Sequence, residues 1–366
     1  MLTPDASSEC SPPTSAASDV PAPPERHPVI GHAYANGRNV TNDHWALLGG
    51  VRFFLASTVL CGHLGALLRP IDELPPILVW LNQFPGQTAV LCFFLVSGYS
   101  IAASIERQRH GYALRRLTRI YPCYAAAFLW ACVPWFLFNA HVIIMPRGDQ
   151  YDLWRTSQPA MVFNALALPS LIGPTLVTFL VSWSLTCEIV YYACAPALQK
   201  APIWLVSVLI AASTFYYIHL TRRDWPDQNI VPILSLAWFW LVGWLLYKYR
   251  QQRGAALIAC LFVVIFFADV TSKPSYILLV ATVCALGATA HVVLPHLLSK
   301  VLSYLGEISY PLYLTHFATL IISNKLFGVQ AHDFMGVFFI TSVVIAAAFY
   351  HVVDVPCRRL ARMSHA

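Results

Sequence analysis

The chain has 366 residues, 58% of them hydrophobic and 11% charged, against roughly 25% charged in a soluble domain. With a mean hydropathy of +0.60, this balance excludes a soluble globular protein and predicts a polytopic membrane protein. The net charge of +6 does not point to nucleic acid, because the Lys and Arg residues fall in short clusters between apolar runs, where orientation in a bilayer accounts for them.

Residues 1–43 are polar and rich in Pro, Ser and Ala. They lack the basic start and apolar core of a signal peptide and read as a disordered cytoplasmic tail. Ten apolar stretches of spanning length follow, near 46–68, 77–104, 117–139, 180–199, 202–220, 230–247, 255–271, 275–293, 303–324 and 336–354. The prediction is an all-α polytopic membrane protein, about ten transmembrane helices in a single bundle over residues 44–358, followed by a short basic tail at 359–366. Starting the chain in the cytoplasm puts Arg107, Arg109, Arg115, Arg116, Arg119, Lys200, Lys248, Arg250, Arg253, Lys300, Arg358, Arg359 and Arg362 inside, so both termini are expected to be cytoplasmic. The fragment 159–178, broken by Pro169 and Pro174, reads as an outer-side interfacial or re-entrant element. Most of the ten cysteines lie singly inside apolar runs and read as small hydrophobes, not as metal ligands.

Ionisable groups at bilayer depth are costly and therefore mark candidate sites. Here they are Arg52, His63, Glu188, Asp269, His291, His316 and Asp354. Arg52 and His63 lie eleven positions apart in VRFFLASTVLCGHL, close to three helical turns, so both project from nearly one face with the imidazole about 16 Å deeper. His291 and His351 read as structural hydrogen-bonding groups, and Asp269 as an exposed helix end. Glu188, in SWSLTCEIVYY, suits either orientation of an imidazole or a sugar hydroxyl, or balance of a buried arginine. Arg116 and Arg119, in RRLTRIYPCY, are three apart and can clamp phosphate from one face, or serve only as a positive-inside loop. In FFLVSGYSIA, Ser97 and Gly98 permit close helix packing. In LGEISYPLYLTHF, Pro311 predicts a kink, and Tyr310, Tyr313 and His316 recur at three-residue steps as a polar stripe.

Taken in order, Arg52 with His63, FFLVSGY, RRLTRIYPCY, WSLTCEIVYY, ISYPLYLTH and the closing VDVP resemble the acyltransferase 3 family of integral-membrane acyltransferases, over about 45–358. The resemblance implies transfer of an acyl group, usually acetyl from acetyl-CoA, to a hydroxyl of a carbohydrate or related acceptor, without a metal. It implies His63, Arg52 and Glu188 as catalytic residues and Arg115, Arg116 and Arg119 as the acyl-CoA contacts. Trp183, Ser184, Tyr310 and His316 are then the acceptor contacts, with Ser309 at a further motif position. Two departures stand out. The acidic residue usual ahead of the motif arginine is missing from ALLGGVRFF, so another group must balance Arg52, and Asp354 stands where Glu is common.

Acyl transfer from a thioester to an alcohol needs a base for the hydroxyl proton, and His63 is the expected base, acting directly or through an acyl-His63 intermediate. The expected partners are the lipid bilayer of a bacterial inner membrane, acyl-CoA from the cytoplasm, and an exported glycan, lipid-linked or free, such as exopolysaccharide or lipopolysaccharide. The rival expectation is a glycan transporter or flippase without acyl transfer, for which buried charges are also usual.

Overall fold

The computed structural model of the chain describes residues 41–67, 76–138, 142–144, 150–152, 158–169, 171, 173, 175–221, 230–267, 272–289, 291–327 and 335–363. The expected N-terminal tail up to residue 40 and Asp269 lie outside them. A helix occupies every one of the ten predicted apolar stretches: α1 (Asn42–Leu67), α2 and α3 (Pro76–Asn82 and Gly86–Arg107), α4 (Tyr112–Phe138), then, after α5 (Gln158–Ala165), α6 (Ser182–Leu198), α7 (Ile203–Tyr216), α8 (Val231–Lys248), α9 (Arg253–Phe267), α10 (Lys273–Ala288), α11 (His296–Phe327) and α12 (Met335–Phe349). Among the described residues, four stretches are long and apolar enough to cross a membrane by length and composition: Asn42–Gly65, Gly86–Arg107, Val231–Lys248 and Gly336–Leu360. A π-helical turn, Tyr350–Asp354, leads into α13 (Val355–Met363), so the stretch expected as a basic tail begins as helix.

Two local features have simple causes. The second span is two helices, because Pro85 holds an extended conformation ahead of α3 and lets α2 stop at Asn82. Among its described residues the fragment 159–178 carries α5 and a 3-10 turn at Val177–Phe179, and eight helical residues reach about 12 Å, too short to cross. Asn164 holds that fragment in place, accepting from the Leu176 amide at 3.2 Å and the Ser182 hydroxyl at 3.0 Å, while its own carbonyl takes the Tyr124 hydroxyl. A short antiparallel ribbon, Val142–Ile144 with Gln150–Asp152, is the exception to an otherwise helical fold.

Packing follows small residues. A Cβ on Gly98 of α3 would lie 1.9 Å from the Trp240 carbonyl oxygen, and one on Gly243 of α8 would lie 2.0 Å from that of Leu95, so these two backbones touch as the FFLVSGY stretch predicted. Gly49 and Gly306 do the same for α1 and α11: a Cβ on Gly306 would lie 2.5 Å from Gly49 Cα. The start of α1 is further tied to α11. Thr41 Oγ1 caps α1 by accepting the His44 amide at 3.2 Å, and the Asp43 carboxylate accepts from the Leu294 amide at 3.1 Å and the Ser299 hydroxyl at 2.7 Å. Running parallel from that anchor, α1 and α11 carry the residues that matter next.

Candidate active site

The glycine contact sets the lower part of the site. Three residues after Gly49 comes Arg52, and next to Gly306 comes Glu307, so close approach of the backbones brings an arginine and a carboxylate to the same level. The carboxylates acting on Arg52 are those of Glu307 and Glu188, and Arg119 opposes it. These carboxylates replace the acidic residue missing ahead of the motif. Arg116 enters from α4, its guanidinium 5.8 Å from the centre of the Tyr112 ring. Both Arg52 and Arg116 are partly exposed, yet each buries an Nε with no hydrogen-bond partner among the described residues. A buried donor left unmatched costs about 1–3 kcal/mol. Both arginines act on the Glu188 carboxylate, which places them in one neighbourhood.

Glu188 belongs to this lower level. Its Oε2 accepts the Tyr192 hydroxyl at 2.9 Å, and Tyr192 in turn shares a hydrogen with Ser97 at 3.0 Å. Tyr112 donates to the Tyr192 carbonyl at 3.3 Å, which links α4 to the same chain of groups. Below, Arg358 of α13 joins Glu307 to the buried Asp354, its Nε donating to Asp354 at 2.9 Å. That carboxylate is the last residue of the π-helical turn Tyr350–Asp354 and is buried.

The upper part is aromatic and nearly dry. His63 of α1 lies with its ring centre 5.3 Å from that of His316 and 4.9 Å from that of Phe317, the latter edge-on. His316 is wholly buried, whereas His63 keeps partial exposure. The predicted stripe on α11 is divided among three neighbours. Tyr310 donates to the Ile120 carbonyl of α4 at 3.1 Å, Tyr313 meets the Ser184 hydroxyl of α6 at 2.7 Å, and His316 turns toward α1.

Arg52, Arg116, Arg119 and Glu188 therefore gather at one level, and His63, His316 and, through Tyr313, Ser184 at another. Arg115 stands apart, since its guanidinium donates to the Gln108 and His110 carbonyls of the loop before α4, where Gly111 takes a positive φ of 66°. Ser309 is buried and donates to the Gly306 carbonyl of its own helix at 2.7 Å, and Trp183 packs partly buried against the core around α3 and α8. His291 and His351 are exposed, and His351 meets the Tyr304 hydroxyl at 3.2 Å. Glu307, Tyr192 and Tyr313 were missed as site residues. Glu307 had a usable signal: an unbalanced Arg52 requires a carboxylate, and LGEISYPLY supplies one at a helix entrance. Among the described residues no group of His, Cys, Asp and Glu is arranged to hold a metal.

Against known proteins, the acyltransferase domain profile matches residues 46–353. The chain belongs to the acyltransferase 3 family. Both levels of the site fall inside that match, with only Asp354 and Arg358 beyond its end. The acyltransferase MdmB of Streptomyces mycarofaciens is similar, 24% identical over 362 residues that cover 86% of this chain and 91% of that protein. No solved structure matches the chain. This acyltransferase 3 member is thus an enzyme of the membrane, with the motif arginine and histidine on one helix.

Proposed function

We propose that the enzyme moves an acetyl or other short acyl group from acyl-CoA to a hydroxyl of a cell-surface or exported glycan, with His63 as general base. One observation supports the reading: Arg52 of α1 and Arg116 of α4 both act on Glu188 and each buries an Nε without a partner among the described residues, while α1 also carries the partly exposed His63. The two levels are eleven residues apart along α1, about 16 Å. The pantetheine arm of CoA is as long as four to five extended residues, about 15 Å. Phosphates held by Arg52, Arg116 and the exposed Arg119 therefore put the thioester beside His63.

In this reading the acceptor hydroxyl gives its proton to His63 while its oxygen bonds to the acyl carbonyl carbon. The carbon–sulfur bond then breaks, and the proton passes from His63 to the leaving thiolate. Glu188, held by Tyr192, tempers the positive charge at the lower level. Ten helices would cross the membrane with both termini cytoplasmic, the orientation that keeps the arginine clusters inside. The donor then comes from the cytoplasm, and the glycan from the outer side past Trp183 and Ser184, which must leave Tyr313 to bind it.

The test is release of free thiol from acetyl-CoA by the purified enzyme, with and without a glycan acceptor from its host. His63→Ala should lower the acceptor-dependent rate by about 10²–10⁴-fold, the range of general-base contributions. Wild-type rates in that variant would remove His63 as the base, and movement of a glycan without thiol release would favour transport.

A further inference from the structure

His316 is wholly buried on α11, and its hydrogen bonds define which nitrogen carries the proton. Nδ1 lies 3.1 Å from the Leu312 carbonyl oxygen and 2.9 Å from that of Tyr313. Carbonyl oxygens only accept, so Nδ1 is the N–H and Nε2 bears the lone pair. That Nε2 is buried and has no hydrogen-bond partner among the described residues. The neighbouring ring is His63, at 5.3 Å between centres and tilted by 33°, and the two rings share no hydrogen bond in this arrangement. A fixed, unused acceptor thus stands beside a partly exposed histidine.

We propose that His316 is a positioning residue for acyl transfer, its Nε2 accepting the ring N–H of His63 once the His63 side chain turns toward it. The inference rests on the reading of His63 as the base. With one ring nitrogen of His63 donating to His316, the other must present its lone pair to the open side, where the acceptor hydroxyl arrives. When that nitrogen takes the hydroxyl proton, the oxygen–carbon bond forms, the carbon–sulfur bond breaks, and the proton leaves again on the thiol. The His63 imidazolium formed between these steps keeps its second N–H on His316. A neutral imidazole whose tautomer is set by two backbone carbonyls would thus do the orienting that a carboxylate does in hydrolase triads. It does so without placing a negative charge in the bilayer.

Two substitutions separate this role from packing. In His316→Gln the side-chain carbonyl reaches the place of Nε2 and can accept from His63. In His316→Asn the amide can still donate to the helix carbonyls but stops short of His63. With the purified enzyme, His316→Asn should lose about 100-fold or more in kcat with the KM for acetyl-CoA unchanged within threefold, and His316→Gln should keep kcat within about tenfold of wild type. Equal rates for the two variants, or a His316→Asn kcat within threefold of wild type, would overturn the proposal. If either variant fails to fold, ¹⁵N spectra of the histidine-labelled wild-type protein decide the matter. They should show one His63 nitrogen protonated and hydrogen-bonded to His316, and two unbonded rings would overturn it. His63→Ala at full rate would sink the base reading itself, whereas an inactive His63→Ala beside a fully active His316→Asn would sink only the role of His316.

Discussion

The seam between α3 and α8 and the seam between α1 and α11 are made by the same device and end in different chemistry. In each, a glycine from either helix removes the side chains at the crossing and lets two backbones touch. Around Gly98 and Gly243 the space is then filled by Trp238, Trp240 and Trp244, all buried, with Trp240 and Trp244 stacked at 5.3 Å. Their indole N–H groups lack acceptors among the described residues, but an indole nitrogen is a donor only and does not serve as a base. Along α1 and α11 from Gly49 and Gly306 come first Arg52 and Glu307 and, several turns on, His63 and His316, and the unmatched atoms include an arginine Nε and an imidazole lone pair. Close packing therefore does not mark the active seam. What sets the proposed site apart is that its unmatched atoms are of a kind that binds an anion or takes a proton.

The comparison breaks most visibly at the inert seam. Gly98→Leu must push against main chain on α8, since even a Cβ would lie 1.9 Å from the Trp240 carbonyl oxygen, and backbone cannot give way as a side chain can. A loss of more than about 4 kcal/mol is expected, in the range reserved for severe core disruption. It should show as loss of folded, detergent-soluble protein, and a normal yield with unchanged thermal unfolding would mean that the helices are not this close.

At the active seam the expected effects are smaller and split between stability and binding. Glu307→Gln leaves Arg358 with Asp354 alone and removes one of two carboxylates acting on Arg52. Removal of a partner from a buried pair costs about 3–5 kcal/mol, but these side chains keep 24% and 34% exposure, so solvent screening reduces the expectation to about 1–2 kcal/mol. Loss of a negative charge beside an anion site should at the same time tighten acetyl-CoA binding, about threefold in KM. Weaker stability with weaker donor binding would place the donor elsewhere. Arg116→Lys keeps the charge and discards the planar fork. It should raise the KM for acetyl-CoA about tenfold, close to 1.4 kcal/mol, with kcat nearly unchanged, and an unaltered KM would remove Arg116 from the donor site.

Which half of this arrangement the sequence discloses follows from the range of the interactions. The common face of Arg52 and His63 depends only on the helical repeat within α1, and both residues line the partly exposed interior of the structure. The close approach at Gly98 was legible for the same local reason, as was the stripe of Tyr310, Tyr313 and His316. Where each member of that stripe goes was not, because it depends on α1, α4 and α6 as neighbours of α11. Glu307 was overlooked because it lies at a helix entrance, where a carboxylate is ordinary. Only the contact of Gly49 with Gly306 brings it to the level of Arg52. The break at Pro85 lies inside a continuous apolar run, where hydropathy alone does not show it.

The smallest effect should come from a charged pair at the end of the inert seam. Arg250, just after α8, donates to both oxygens of Glu106 on α3, at 2.9 Å and 2.6 Å, and lies 4.2 Å over the centre of the Tyr247 ring. By geometry alone this pair looks stronger than anything Arg52 or Arg116 makes. It is nevertheless open to solvent, with side-chain exposures of 20% and 45%, and exposed pairs contribute about 0–1 kcal/mol. The Tyr247 ring adds about 0.5–1 kcal/mol at such a site. Arg250→Ala should therefore cost about 1 kcal/mol, seen as a small drop in thermal stability that narrows at high salt, which screens the pair in the wild type. Acetyl-CoA KM and kcat should not move, because Arg250 already gives its guanidinium to Glu106 and the Tyr247 carbonyl and lies at neither level of the site. A donor-binding defect in Arg250→Ala as large as that of Arg116→Lys would show that matched and unmatched arginines are equivalent here, and that the distinction between the two seams does not locate the active site.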